Sequence, residues 1–290
     1  MPWQQLHIVS TRDQAEMVED LLLASGAVSV TMTDDADNPI LEPGVGETPL
    51  WETVKVTGLY AADVERQNII DQLPLPTEQL LWETLEDQPW ERAWMDQFQP
   101  IPCGQRLWVC PSWLEPPDPQ AVNLILDPGL AFGSGTHPTT VLCLQWLDAQ
   151  PLDGATVVDY GCGSGILGIA ALLLGAQKVI AIDNDPQALL ATRDNLQRNG
   201  LADDRLDTWL PGDLPGLQAD IVVANILAAP LIALATTITD ILRPGGRLAL
   251  SGIMTHQTDT VAAAYPQIHF DPAATREEWA RLNGNKRPLE

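Results

Sequence analysis

Basic residues, cysteines and long apolar segments are all scarce in this sequence, and each scarcity argues against a class of protein. Lys and Arg number 15 against 39 Asp and Glu, a net charge of −24, which opposes binding to nucleic-acid phosphate through a basic surface. The four cysteines form no CxxC pair and have no histidine cluster beside them, so we expect neither a disulfide framework nor a metal site. The longest apolar run, residues 166–176, is far shorter than the roughly 18 residues of a membrane helix. We therefore expect a cytoplasmic chain without a membrane partner.

The remaining composition is that of a globular protein large enough for two domains. Hydrophobic residues make up 45% of the 290 residues, with 21 Gly and 24 Pro, which suits a packed core rather than a fibrous or disordered chain. Residues 1–100 carry 19 acidic and 4 basic side chains. This acidity has two interpretations, solubility or the electrostatic capture of a basic protein.

The first 87 residues predict a small ferredoxin-like α+β domain. Apolar alternation and helical spacing give the order βαββαβ, with strands at 3–10, 27–33, 50–60 and 78–85 and helices at 12–25 and 62–73. A loop rich in Pro, Gly and Asp fills residues 34–46. Residues 88–120 crowd prolines and tryptophans together, which predicts a stiff linker.

Residues 121–288 alternate strands with helices, which predicts a doubly wound, parallel, seven-stranded Rossmann-like sheet. The predicted strands are 122–126, 156–160, 178–183, 205–210, 220–225 and 247–251, followed by a helix and two final strands. A helix is expected at 230–242 and a turn at 244–246. Sheets of this class bind ligands at the carboxyl ends of their strands.

A glycine-rich loop after the strand at 156–160 is the strongest local motif. Asp159-Tyr-Gly161-Cys-Gly163-Ser-Gly165 leads from a strand into a helix, where backbone can approach a ligand closely. The segment starting at Gly163 also matches the dinucleotide fingerprint GxGxxG, and Asp183 follows 20 residues later, where a ribose-binding acid is expected. Two nucleotide cofactors, one of them a dinucleotide, therefore compete for this loop, and the alternative is a tight turn with no ligand. We assign helix capping to Asp185 and ligand binding to Asp183.

The motifs together resemble a known enzyme family. The glycine loop resembles that of class I S-adenosylmethionine-dependent methyltransferases, and Asn225-Ile-Leu-Ala228 lies where such enzymes carry their reaction-side motif. More narrowly, the chain resembles the bacterial ribosomal protein L11 methyltransferases through residues 127–140 (DPGLAFGSGTHPTT), 159–167, 223–228 and 250–252. The resemblance covers nearly the whole chain. It implies a substrate-recognition domain over 1–87, a linker over 88–120 and a methyltransferase domain over 121–288.

The resemblance also implies a cofactor, a substrate and site residues. The cofactor is S-adenosylmethionine, and the family's contact positions fall on Thr140, Gly161, Asp183 and Asn225. Gly161 and Gly163 pass close to the methionine part and Asp183 holds the ribose. Independently of the resemblance, the place of Asn225 at the carboxyl end of a strand suggests that it orients the amine as the catalytic residue. The substrate is a basic ribosomal protein, L11, methylated on its N-terminal α-amine and on lysine ε-amines.

Other interpretations of the same residues stay open at this point. His137 is either a catalytic base or a loop residue that hydrogen-bonds the start of the next helix. An NAD-dependent oxidoreductase fits the overlapping fingerprint, but we find no second constellation for hydride transfer. A methyltransferase acting on nucleic-acid amino groups would carry Asn-Pro-Pro-aromatic where this chain has Asn-Ile-Leu-Ala at 225–228. A module that binds S-adenosylmethionine without catalysis is the non-enzymatic alternative.

Overall fold

The chain divides into two compact units, Met1–Met95 and Asp96–Glu290. The computed structural model describes residues 2–36, 49–86, 95, 98–127, 133 and 135–288. The predictions made for the loop after residue 36, for the start of the proline- and tryptophan-rich stretch and for residues 128–132 and 134 lie outside these described residues. The sequence-based domain boundaries stay a prediction.

The first unit has the predicted ferredoxin-like order. Its elements are β1 (Trp3–Thr11), α1 (Arg12–Ala24), β2 (Ser29–Asp34), β3 (Thr53–Ala61), α2 (Arg66–Gln72) and β4 (Leu81–Leu85). The sheet order is β2-β3-β1-β4, and every pair in it is antiparallel. Alternation decides the faces of β3, because Val54, Val56 and Tyr60 are buried while the intervening residues are partly exposed. The βαββαβ prediction is confirmed.

The second unit contains most of the chain's secondary structure. Its strands are β5 (Ile101–Pro102), β6 (Leu107–Cys110), β7 (Val122–Ile125), β8 (Thr156–Tyr160), β9 (Lys178–Ile182), β10 (Leu206–Trp209), β11 (Ala219–Asn225), β12 (Leu242–Met254), β13 (Ile268–Phe270), β14 (Ala274–Arg276) and β15 (Trp279–Lys286). Its helices are α3 (Pro138–Asp148), α4 (Ile166–Leu173), α5 (Pro186–Arg198), α6 (Ala228–Ala233), α7 (Ala235–Ile241) and α8 (Thr258–Ala263). No helix in the described part of the chain is long and apolar enough to cross a membrane.

The main sheet of this unit is doubly wound, as predicted. Its order is β10-β9-β8-β11-β12-β15-β13, with β14 also paired to β15. The first five strands are parallel and β15 is antiparallel to β12. Helices α3, α4 and α5 pack on one face and α6, α7 and α8 on the other. Because both faces are covered, neighbouring residues such as Val157 and Val158 are both fully buried.

Several details of the main sheet differ from the prediction. The seventh position holds two short strands, β13 and β14, because Pro272 lies between them and proline has no amide hydrogen to donate. The predicted helix at 230–242 is two helices separated by Leu234. The predicted turn is a bulge within β12, since the pairing of β11 passes from Leu242 directly to Arg247.

The predicted strand at 122–126 does not join the main sheet. As β7 it pairs with β6, and β6 pairs with β5, so residues from the proline-rich stretch form a separate three-stranded sheet. Asp148, at the end of α3, holds this sheet in place, because its carboxylate accepts hydrogen bonds from the Gln105 amide at 2.6 Å and from Arg106 Nε at 3.2 Å.

The strand order fixes where a ligand is expected. It reverses between β8 and β11, because the chain builds β9 and β10 on one side of β8 and β11 and β12 on the other. In open parallel sheets a crevice forms at the carboxyl ends of the strands beside such a switch point. The glycine loop and Asn225 lie at those two strand ends.

Candidate active site

The three glycines of the loop have backbone conformations that residues with L side chains rarely adopt. Gly161, Gly163 and Gly165 have φ values of 76°, 53° and 77°, in the left-handed region that glycine enters without steric cost. The amides of Gly161 and Cys162 both donate to the carbonyl of Ile182, at 2.7 and 3.0 Å. The loop is therefore fixed to the end of β9 before α4 begins.

Asp183 immediately follows β9 and is held by two backbone amides. Its Oδ2 accepts from the Gly163 amide at 2.9 Å, and its Oδ1 accepts from the Asp185 amide at 3.0 Å. The side chain is half-buried, and it lies at the carboxyl edge of the sheet beside the glycine loop. Asp185 caps α5, as predicted, by accepting from the Gln187 amide at 2.9 Å. The two carboxylates therefore have different partners. Asp183 accepts from the amides of Gly163 and Asp185, whereas the carboxylate of Asp185 caps α5.

Asn225 and Thr140 meet although 85 residues separate them in sequence. Asn225 ends β11, and its Nδ2 donates to the Thr140 hydroxyl at 3.2 Å. The Oδ1 atom of Asn225 is buried and has no hydrogen-bond partner. Thr140 itself is 0% exposed. The pair leaves one amide oxygen as an unused acceptor at the carboxyl end of a central strand.

Ile226 connects the glycine loop with the reaction-side motif. A Cβ added to Gly161 would overlap Ile226 Cγ2, and a Cβ added to Gly252 would overlap the Ile226 carbonyl. The residue after Asn225 is therefore confined between two glycine backbones. The sequence motifs include both glycines and Ile226, but they give no signal for this contact, which depends on β8, β11 and β12 lying side by side.

Asp159 is the acid that precedes the glycines, and it is 1% exposed. Its Oδ2 accepts from the Gly168 amide at 2.8 Å, while its Oδ1 is buried without a partner. Burial raises the pKa of this carboxyl to about 7, and the Gly168 hydrogen bond opposes that rise. Gly168, the third glycine of the dinucleotide fingerprint, serves this bond and close packing, since a Cβ there would lie 2.8 Å from Val179.

His137 caps α3. Its Nδ1 lies 2.7 Å from the Thr139 hydroxyl and accepts from the Thr139 amide at 3.4 Å. The ring meets Trp279 edge-on with 4.8 Å between centroids. Burial lowers the pKa of His137, and Glu277 and Glu278 oppose this. This geometry matches the interpretation of His137 as a residue that hydrogen-bonds the helix start. The sequence does not predict the contact of Trp279 with His137, because no local motif marks Trp279.

The described residues contain no group of three or more His, Cys, Asp or Glu side chains that could hold a metal ion. The four cysteines are free and buried. The polar groups gathered at the switch point are therefore carboxylates, an amide, a hydroxyl and glycine backbone. This set suits the binding and orientation of an organic ligand.

Comparisons with known proteins agree on one family. The model of the family described as Ribosomal protein L11 methyltransferase (PrmA) matches residues 2–287. A curated relative named Ribosomal protein L11 methyltransferase, from Cellvibrio japonicus, is 55% identical over 293 aligned positions and covers 99% of each chain. The chain belongs to the ribosomal protein L11 methyltransferase family.

Other members of this family are also similar to this chain. A relative of the same name from Teredinibacter turnerae is 52% identical and covers 100% of this chain and 99% of its own. The crystal structure of a ribosomal protein L11 methylase from Lactobacillus delbrueckii subsp. bulgaricus is similar with a TM-score of 0.59 and 32% identity, covering 66% of this chain and 100% of that one. The resemblance to L11 methyltransferases predicted from the motifs is confirmed, and the oxidoreductase and nucleic-acid alternatives gain no support.

Proposed function

We propose that this chain transfers methyl groups from S-adenosylmethionine to the N-terminal α-amine and lysine ε-amines of ribosomal protein L11. One observation carries the proposal for the reaction site: the unpartnered Oδ1 of Asn225, fixed by Thr140 at the carboxyl end of β11. Family membership supports the methyltransferase activity. The names of the relatives support L11 as the substrate.

The residues at the switch point fit the cofactor. Asp183 presents a carboxylate, already oriented by two amides, that suits the two hydroxyls of a ribose. Gly161 and Gly163 present bare backbone to the methionine part. Bound there, S-adenosylmethionine supplies an electrophilic methyl group on a sulfonium. Thr140 accepts a hydrogen bond from Asn225 Nδ2, which supports a role in positioning that amide in addition to the cofactor contact that the resemblance implies.

Asn225 orients the incoming amine. Its Nδ2 donates a hydrogen bond to the Thr140 hydroxyl, which orients the amide, and its Oδ1 has no partner. The amide oxygen is therefore left to accept a hydrogen bond from an N–H group of the nucleophile. Correct alignment of two reactants contributes about 7–11 kcal/mol in well-oriented intramolecular reactions. The amine must be neutral to attack, and an α-amine with a pKa of about 7.7–8.0 meets this condition more easily than a lysine near 10.4. Turnover on lysine is therefore expected to rise more steeply with pH.

The acidic first unit supports recognition of a basic protein. Residues 1–100 carry 19 acidic and 4 basic side chains, a surplus that attracts cationic partners and repels nucleic acid. On this proposal residues 1–87 bind L11, residues 88–120 link the domains and residues 121–288 hold the cofactor. We also propose that the protein has no stable nucleic-acid or membrane partner and that it is located in the cytoplasm.

Binding and methylation assays on matched variants test this function. We expect labelled S-adenosylmethionine to bind and NAD not to bind in equilibrium dialysis, and label to pass to L11 rather than to total RNA. Asp183→Asn removes a charged acceptor, and because hydrogen bonds to charged groups contribute about 1.5–3 kcal/mol, we expect about 10- to 100-fold weaker binding. Asp185→Asn is the matched control, since asparagine caps helices equally well. Equal affinities of both variants, or label on RNA alone, would contradict the proposal.

A further inference from the structure

Asp159 is a buried acid with too few hydrogen bonds for a carboxylate. It is 1% exposed, and among the residues that the structure describes the Gly168 amide is its one hydrogen-bond donor, at 2.8 Å from Oδ2. Its Oδ1 has no partner. None of the ion pairs found among the described residues includes it. A carboxylate that accepts a single hydrogen bond and has no counter-ion is costly to bury.

The groups around Asp159 give its ionised form no compensating charge. Its strand neighbours on β9 and β11 are Ala181 and Val223, and α4 contributes the Gly168 amide. The titratable groups that interact with it are acids or thiols: Asp183 at the end of β9, Cys143 on α3 and Cys162 in the glycine loop. Arg281 interacts with Cys143 and is not among the described groups that shift the pKa of Asp159.

The cost of ionisation can be avoided in two ways. A carboxyl can take up a proton, or a cation can arrive beside it. Asp159 lies directly before the glycine loop, which begins two residues later at Gly161. In the proposed function this loop receives a ligand that carries both a sulfonium and an ammonium group.

We propose that Asp159 is a proton-linked positioning residue, which is protonated in the free protein below neutral pH and becomes ionised when S-adenosylmethionine binds at the adjacent glycine loop. The inference rests on the proposed function, because that ligand supplies the positive charge. On binding, the O–H bond of the carboxyl breaks, the proton passes to the solvent buffer, and the carboxylate stabilises the bound cation electrostatically. Binding therefore releases a proton that comes from the protein rather than from the ligand.

The expected effect follows from linkage. Burial raises the pKa of Asp159 to about 7. If the ionised form alone binds, about 0.9 proton is released per ligand at pH 6 and about 0.1 at pH 8, and affinity rises about tenfold between them. Affinity rises with pH because at lower pH more of the free protein carries a protonated Asp159, which must lose its proton before the ligand binds.

Isothermal titration calorimetry in buffers of different ionisation enthalpy measures the released protons. We expect the wild type to release nearly one proton at pH 6, where the ligand's own α-amine is fully protonated. Asp159→Asn is expected to release none and to bind with similar affinity at pH 6 and pH 8. Asp153→Asn, a change of an exposed acid in the same unit, is the charge-matched control and should behave as the wild type.

The outcomes separate this inference from the function on which it rests. Proton release that is equal in wild type and Asp159→Asn overturns the inference. If Asp159→Asn does not fold, the wild-type proton count decides, because a count that does not fall between pH 6 and pH 8 also overturns it. Absence of S-adenosylmethionine binding by the wild type at every pH would instead overturn the proposed function.

Discussion

Replacing Gly161 with alanine tests the contact that joins the cofactor loop to the reaction-side motif. An L residue at φ 76° costs about 1–2 kcal/mol. The new Cβ would also overlap Ile226 Cγ2. Ile226 cannot move away without cost, because its carbonyl already packs against Gly252. Forcing an extra methyl group into a packed site costs about 1–3 kcal/mol, so Gly161→Ala is expected to destabilise the protein by about 2–5 kcal/mol.

Gly154→Ala is the matched control for this substitution. Gly154 has φ 72°, nearly the same backbone conformation, but no heavy atom lies within 4 Å of a Cβ placed there. Gly154→Ala should therefore destabilise the protein through the backbone conformation alone, by about 1–2 kcal/mol. Urea unfolding of the two variants and the wild type isolates the packing cost as their difference.

The two glycine variants should also differ in function. Because Ile226 follows Asn225, a displaced Ile226 is expected to shift the Asn225 amide, for which we propose the role of orienting the amine. We expect Gly161→Ala to weaken S-adenosylmethionine binding in calorimetry and to lower turnover on L11, while Gly154→Ala changes neither. Equal destabilisation by both substitutions, with binding and turnover unchanged, would refute the inferred contact between the glycine loop and Ile226.

Three further predictions concern other buried groups at the sheet. Thr140→Val leaves the Asn225 Nδ2 without its acceptor, so steady-state kinetics should give about tenfold lower kcat with unchanged cofactor affinity; a matching loss of affinity would assign Thr140 to direct contact. Burial raises the Asp159 pKa from 3.8 to about 7, so wild-type stability should fall relative to Asp159→Asn as pH rises from about 4 to 7, by an amount on the order of 4 kcal/mol. Urea unfolding at pH 5 and pH 8 checks this, and a pH-independent difference contradicts it. Burial also raises the Cys143 pKa to about 12, and all four thiols are buried, so alkylation at pH 8 should be slow until urea unfolds the chain.

The sequence predicts the elements whose pattern is local. The order βαββαβ follows from alternation within single strands, as in β3, where Val54, Val56 and Tyr60 face the core. The parallel sheet follows from strands separated by helices, and a site at its edge follows because sheets of this class bind ligands at the carboxyl ends of their strands. Gly161 and Asp183 follow from the glycine loop and its spacing, since each directly follows a strand, whereas Asn225 follows from the family resemblance.

The features that the sequence does not predict depend on contacts between distant residues. Strands β5 and β6 lie in a stretch whose prolines suggest a linker, and what holds them is Asp148, 43 residues beyond Gln105. The contact of Ile226 with Gly252 depends on the pairing of β11 with β12. Local periodicity carries no information on such pairings, so these features follow only from the three-dimensional structure.

Two aspartates at neighbouring strand ends illustrate this limit at the site itself. Asp159 and Asp183 both lie at the carboxyl end of a parallel strand, and spacing predicts a ribose-binding role for Asp183 but gives no role for Asp159. The structure separates them by environment: α4 covers Asp159 and gives it one amide donor, whereas Asp183 is half-buried and accepts from two amides. A carboxylate held by amides at an open edge can bind hydroxyl groups without changing its protonation state, while a covered carboxyl with an unused oxygen responds to the charge of the ligand. We therefore propose that one cofactor meets two acids with different tasks, and the predicted proton release distinguishes them by experiment.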